Sequence, residues 1–159
     1  MQILESILVE KKFTYFTKQN PETDAVENIF FSHRVSYNLW RAFPHVMLID
    51  ATYKTNEYRI PFVQIVGMTS TNQSFCIAHA FIVKEKTSNY TWVLERLKDL
   101  LEGSMEPRVI VTDRDLALMS ACASVFPDAT KLLCRCHIQR NIIVVVLQVS
   151  YSTKYCKIS

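Results

Sequence analysis

The order of periodic segments in this chain predicts an α/β fold. Three antiparallel strands should form a mixed sheet, extended by further strands that arrive through helical crossovers. Three observations carry the expectation. Two short apolar runs each end in an aspartate, Val46-Met-Leu-Ile-Asp50 and Val109-Ile-Val-Thr-Asp113. Two more β-rich runs lie between them, joined closely enough to be a hairpin. An amphipathic helix pattern then separates that hairpin from the second aspartate.

Residues 11–18 and 25–31 read as a strand pair around the turn Gln19-Asn-Pro-Glu-Thr-Asp24. Residues 32–43 form a short helix with Val35, Leu39, Trp40 and Phe43 on one face, and Pro44 ends it. Residues 46–53 form a strand that is apolar on both sides, as a central strand should be. Residues 61–70 and 74–83 are the hairpin, connected through Thr71-Asn-Gln73. Residues 88–102 give the clearest helix, with Ser88 or Asn89 as its cap and Gly103 as its stop. Residues 108–112 are the next strand and 115–125 the next helix, closed by Pro127. A short strand over 130–134 comes last, with a further helix beyond it. Residues 1–44 read as an N-terminal annex of strand pair plus helix, 45–142 as the core and 143–159 as an aberrant tail.

Composition narrows the function. The 159 residues are enough for one domain with a real core. A net charge of +3, with scattered Lys and Arg, is compatible with nucleic acid and does not single it out. Only two glycines occur, which excludes a Gly-rich phosphate loop and a dinucleotide fingerprint. No charged-then-apolar leader is present, which argues against secretion. The longest apolar stretch, 142–147, is too short to span a bilayer. Five cysteines without framework spacing point to a reducing, intracellular setting.

Asp50 and Asp113 each carry two readings. Carboxylates at adjacent strand ends are a seat for a divalent cation, because hard ions take oxygen ligands. The same placement suits a solvated strand end or, for Asp113 with Asp115, a helix cap. Cys134-Arg-Cys136-His137 offers soft and borderline ligands suited to zinc, yet a closed structural site needs four ligands. The other reading is a buried cysteine pair with His137 near a helix start. His79 reads as strand packing, and Glu85 and Lys86 as surface. Lys54, Lys84, Arg108, Arg114, Arg135 and Arg140 are either a phosphate-facing set or ordinary solvated charge. Tyr53 and Tyr58 are either base-stacking or packed.

Taken together, these blocks resemble the Mutator-like (MULE) transposase domain. Asp50-Ala-Thr-Tyr-Lys-Thr-Asn56 with Pro61-Phe62 resembles its first catalytic block. Glu85 followed by Asn89-Tyr-Thr-Trp92 resembles its acid-then-Trp helix entry. Val111-Thr-Asp113-Arg-Asp115 with Phe126-Pro-Asp-Ala129 resembles its second block, and Cys134 to Asn141 its Cys-x-x-His block. The resemblance implies a ribonuclease-H-like fold, incomplete at its C-terminus, and a catalytic Asp-Asp-Glu triad. Asp50 and Asp113 match the first two acids, and Cys134 and His137 match the Cys-x-x-His pair.

The resemblance also implies cofactor and partner. Mg²⁺ or Mn²⁺ would be the cofactor, while zinc at Cys134 and His137 stays an expectation from their ligand chemistry alone. Transposon-end DNA would be the partner, in a nuclear setting, with assembly of identical chains and neither membrane nor small-molecule substrate. The family's third acid lies beyond the Cys-x-x-His block, whereas this chain has no Glu after Glu106. The expectation is therefore an inactive fragment of a DDE-type transposase. A third acid would otherwise have to come from Glu85, Asp115 or a second chain. The alternative class is a non-enzymatic nuclear regulator, since the domain also occurs in domesticated plant transcription regulators of the far-red-impaired-response type. An inert remnant is the third possibility. The β-branched run 142–149 departs from the family and suggests a truncated or frame-shifted copy that favours aggregation.

Overall fold

The computed structural model describes residues 2–52 and 60–139. Helix α1 (Gln2–Glu10) opens the chain and packs on strand β1 (Phe13–Gln19). It is absent from the sequence expectation, although Ile3/Ile7 and Leu4/Leu8 stand one helical turn apart. Leu8 is buried, but Ile3, Ile7 and Val9 face solvent.

Strand β1 pairs antiparallel with β2 (Val26–His33) around the expected turn. The Asn20 side chain accepts from the backbone amides of Glu22 and Thr23 at 2.9 and 3.2 Å. This local bond is what makes Asn a turn residue. Strand β2 then pairs with β5 (Ser74–Ile82), so residues 1–44 contribute two strands to the same sheet as the rest.

Helix α2 (Arg34–Ala42) starts at His33, whose Nδ1 accepts from the Val35 amide at 3.3 Å. Its buried face differs from the expected one. Trp40 is fully buried and Tyr37 packs on the core, whereas Val35 is exposed. Strands β3 (Val46–Thr52) and β4 (Phe62–Met68) pair antiparallel, and β4 pairs antiparallel with β5. The β4–β5 loop closes through Thr69, whose amide donates to the Gln73 carbonyl at 2.9 Å. Gly67 faces the Phe75 ring so closely that an added Cβ would overlap it, which explains a glycine inside a strand.

Helix α3 (Thr87–Asp99) has Lys86 at its N-cap and no side-chain capping bond. The expected cap residue Asn89 lies inside the first turn and is buried. Its amide donates back to the Lys84 carbonyl at 2.9 Å, and its oxygen accepts from Asn28 at 3.1 Å. A long-range polar bridge has displaced the local cap. Gly103, with φ of 81°, closes the segment after α3 as expected. Strand β6 (Val109–Thr112), helix α4 (Leu116–Val125) and strand β7 (Thr130–Leu133) complete the described elements. A helical turn over 135–139 comes after them.

The seven strands run in the order β1-β2-β5-β4-β3-β6-β7. Helices α3 and α4 pack on each other, and the core lies between the helices and one sheet face. Phe30, Met47, Ile49, Val63, Ile65, Ala78, Ala80 and Ile110 supply the sheet side, all 2% exposed or less. Strand alternation sends the intervening residues to the other face. Among the described residues, no helix is long and apolar enough to cross a membrane.

Candidate metal centre

Sheet direction collects the candidate groups at one edge. β3 and β6 are parallel. β4 is antiparallel to both β3 and β5, so β5 runs the same way as β3. β7 is parallel to β6. The C-terminal ends of β5, β3, β6 and β7 therefore share an edge, where α/β sheets commonly bind ligands. The N-termini of α3 and α4 come after two of these strands and bring positive helix ends to the same edge.

Asp50 and Asp113 occupy equivalent places there. Ile49 pairs with Thr112 across β3 and β6, so each aspartate is the next residue along its strand direction. Asp50 is half-exposed beside Gln64 of β4. Its Oδ1 lies 3.7 Å from His137 Nε2, which reaches it from the turn after β7. That turn is anchored by the Cys134 amide, which donates to the Thr112 carbonyl at 2.7 Å. Asp50, Gln64, Cys134 and His137 line an open groove of about 260 Å³, floored by Leu48, Val66 and Val111. Asp113 stands beside this groove and is not among its lining residues.

The capping reading of the second acid block is also realised in part. Asp115 is the N-cap of α4, accepting from the Leu118 amide at 2.7 Å. Asp113 accepts from the Asp115 amide at 3.3 Å. Its carboxyl is nevertheless raised above the usual carboxylate range. Burial is the main cause, and the charges of Asp115 and Asp50 add to it, against the lowering influence of the Asp115 amide and of His137. Glu85, just before α3, is raised in the same direction by burial and then by Asp115 and Asp113.

Beneath them Tyr90, fully buried in the first turn of α3, has a hydroxyl without a hydrogen-bond partner among the described residues. Burial and the charges of Asp115, Glu85, Asp113 and Asp50 all hold this phenol protonated. These acids crowd one another without a compensating Lys or Arg in ion-pair contact among the described residues. Such a set of hard oxygen donors suits a divalent cation. As the side chains stand, no three Asp, Glu, His or Cys groups grip one point among the described residues.

Among the described residues Cys134 does not join a four-ligand set. Its thiol is held below the usual range, mainly by a hydrogen bond from the His137 backbone, despite opposing desolvation, with lesser help from the His137 side chain. His79 sits on β5 between Phe31 and Phe62, at ring distances of 5.4 and 5.2 Å. Its Nε2 is 3.1 Å from Cys76 Sγ. This agrees with the packing reading of His79. Glu85 reads as surface from sequence, and nothing local places it near Asp113. Tyr90 and the His137–Asp50 approach are equally invisible there, because each depends on how elements cross. Tyr53, Lys54, Tyr58, Arg140 and Cys156 lie outside the described residues, as does the run 142–149.

In the described sheet β1, β2, β5, β4 and β3 are joined antiparallel and β6 and β7 are added in parallel, with the acids at the carboxyl edge. The chain belongs to the MULE transposase domain family, whose model matches residues 46–141. It is 30% identical over 128 residues to the Arabidopsis thaliana protein FAR1-RELATED SEQUENCE 5, covering 80% of this chain and 16% of that protein. It is 30% identical over 109 residues to FAR1-RELATED SEQUENCE 2 of the same plant, covering 69% and 13%. The chain thus spans less than a fifth of the length of these curated relatives. Among solved structures, the HTLV-2 integrase catalytic core domain in complex with magnesium is similar at a TM-score of 0.38 and 16% identity. That match covers 73% of this chain and 76% of the integrase chain.

Proposed function

We propose that this domain is built on the site of a DDE-type DNA transposase and takes a divalent cation, Mg²⁺ or Mn²⁺, between Asp50 and Asp113. The observation that carries this reading is the equivalent register of the two acids on neighbouring parallel strands, Asp50 within β3 and Asp113 one residue past β6. The raised carboxyl of Asp113, caused first by burial and then by the charges of Asp115 and Asp50, supports it. A bound ion there would stabilise charge on the oxygens of a phosphodiester undergoing displacement. Asp50 and Asp113 would hold and orient it. Gln64, which lines the same groove as His137, would face the strand that lies across the sheet edge. The partner in this reading is DNA in the nucleus, and pairing of two identical chains would bring two DNA ends together.

One observation favours the second reading, a nuclear DNA-associated protein that keeps the fold without the chemistry. His137 already stands 3.7 Å from Asp50, in the space beside the carboxylate that an ion would use. A cleavage and strand-transfer assay with transposon-end DNA and Mn²⁺ separates the two. Product formation lost in Asp113→Asn establishes the enzymatic reading. DNA binding without product, unchanged in that variant, establishes the regulatory one. Mn²⁺ binding unaffected by both Asp50→Asn and Asp113→Asn would remove the metal site altogether.

A further inference from the structure

We propose that Glu85 supplies a third carboxylate to the cation site of Asp50 and Asp113, reaching it from the β5–α3 connection. The proposal rests on the metal reading of that site and names a ligand in addition to its two aspartates.

The first support is topological. Because β5 runs parallel to β3 and β6, the connection leaving β5 opens onto the same sheet edge as both aspartates. Glu85 is the residue at the apex of that connection. The Lys86 amide donates to the Lys84 carbonyl at 2.9 Å, which makes a three-residue turn with Glu85 at its centre. Buried polar groups pin both sides of it. Asn89 Nδ2 donates to the same Lys84 carbonyl at 2.9 Å, and the Val83 amide donates to Asn28 Oδ1 at 3.2 Å. Asn28 and Asn89 bond to each other. The backbone at Glu85 is thus fixed while its side chain is exposed. It remains free to rotate among staggered states.

The second support is Tyr90. Its hydroxyl is fully buried, lacks a partner among the described residues, and lies within the combined field of Asp115, Glu85, Asp113 and Asp50. Burying a hydroxyl unpaired is unfavourable. A donor held beside converging acids is satisfied when those acids are drawn together around a shared ion. In this proposal Glu85, which feels the charges of Asp115 and Asp113, would complete the set by turning its side chain toward Asp113. A hard cation held by two carboxylates keeps most of its water, and a third raises affinity through ligand charge count.

The test is Mn²⁺ titration of the full chain, read by the free-ion electron paramagnetic resonance signal, for wild type, Asp50→Asn, Asp113→Asn and Glu85→Gln. Glu85 is exposed, so its amide variant should fold, and equal melting curves check that. Removing residues that only orient a metal ligand already weakens binding by roughly 10–100-fold. Glu85→Gln is therefore expected to lose at least about tenfold, and Glu85→Asp to regain part of it. Loss in both aspartate variants with Glu85→Gln at wild-type affinity overturns this proposal and leaves the two-aspartate site standing. No Mn²⁺ binding by wild type, or binding untouched by the aspartate variants, overturns the metal reading and this proposal with it.

Discussion

The two faces of the sheet are built from the same strands and serve different ends. Strand β3 shows this within five residues. Met47 and Ile49 are closed off beneath α3 and α4, at 0% and 2% exposure. Leu48 and Asp50, one step out of phase, line the open groove with Gln64 and Val66 of β4. On the covered face side chains are apolar and packing decides what is tolerated. On the open face half-buried aromatics stand beside titratable groups: Phe31, Phe62 and Phe81 with His79, then Asp50 and His137. Period-two alternation therefore lets a strand anchor the core without constraining the chemistry at its other face.

The sharpest way to break this contrast is to cut the covered face. Ile49→Ala removes a fully enclosed side chain that stands beside Met47 on the covered face. It should cost about 2–5 kcal/mol, depending on how far the site collapses. Urea denaturation followed by tryptophan fluorescence measures this, since Trp40 lies in the same core. A loss below about 1 kcal/mol would mean that the core is not packed as described.

Next in size is the polar bridge that links the two regions. Asn89→Ala removes one of two donors to the Lys84 carbonyl, which keeps the Lys86 amide, and takes from the Asn28 amide its acceptor on Asn89. The expected destabilisation is about 1–3 kcal/mol. Hydrogen exchange should rise at Lys86, whose turn depends on the same carbonyl.

On the open face, Asp50→Asn should change stability by less than about 0.5 kcal/mol, the usual range for surface positions. The contact it loses, to His137 at 3.7 Å, joins two partly exposed groups, 50% and 34%. Such pairs are worth little in water. A thermal melt checks it. A large loss would place Asp50 in the core's energetics and dissolve the contrast.

The same contrast explains what is legible in the sequence. β3 and β6 are readable because apolar runs ending in acids are local patterns, and both acids fall at the edge expected of them. The β4–β5 hairpin and α4 emerge from turn residues and spacing in the same way. α1 carries helical spacing in Ile3/Ile7 and Leu4/Leu8, a trace the sequence expectation does not use. Asn89 satisfies the rule for a helix cap and is instead recruited by Asn28, sixty-one residues away in sequence. Val35 fits the helix period and faces solvent, because Tyr37 and Trp40 fill the space above the sheet. At the site the two aspartates are legible one by one. Glu85 and His137 are singled out by the resemblance, but their approach to the aspartates, like the whole role of Tyr90, exists only after α3 and the last strand have docked.

The smallest effect expected has the opposite sign and probes the crowding of acids directly. Asp113 has its folded-state carboxyl raised, first by burial and then by neighbouring acids, against the Asp115 amide and His137. For an acid, a raised folded value means that the folded state disfavours the ionised form. The penalty is absent below the unfolded value of 3.8 and grows as pH rises through the folded value, being fully present at neutral pH. Asp113→Asn should therefore melt slightly higher than wild type at pH 7, and the gap should close as pH falls toward 4. The substitution keeps an oxygen to accept from the Asp115 amide, so the local turn survives. Mn²⁺ should narrow the gap at pH 7 by neutralising the repulsion that the amide removes. A variant that melts lower than wild type at every pH would show that the Asp113 charge stabilises this edge through the α4 N-terminus. The acids would then be a helix-capping set.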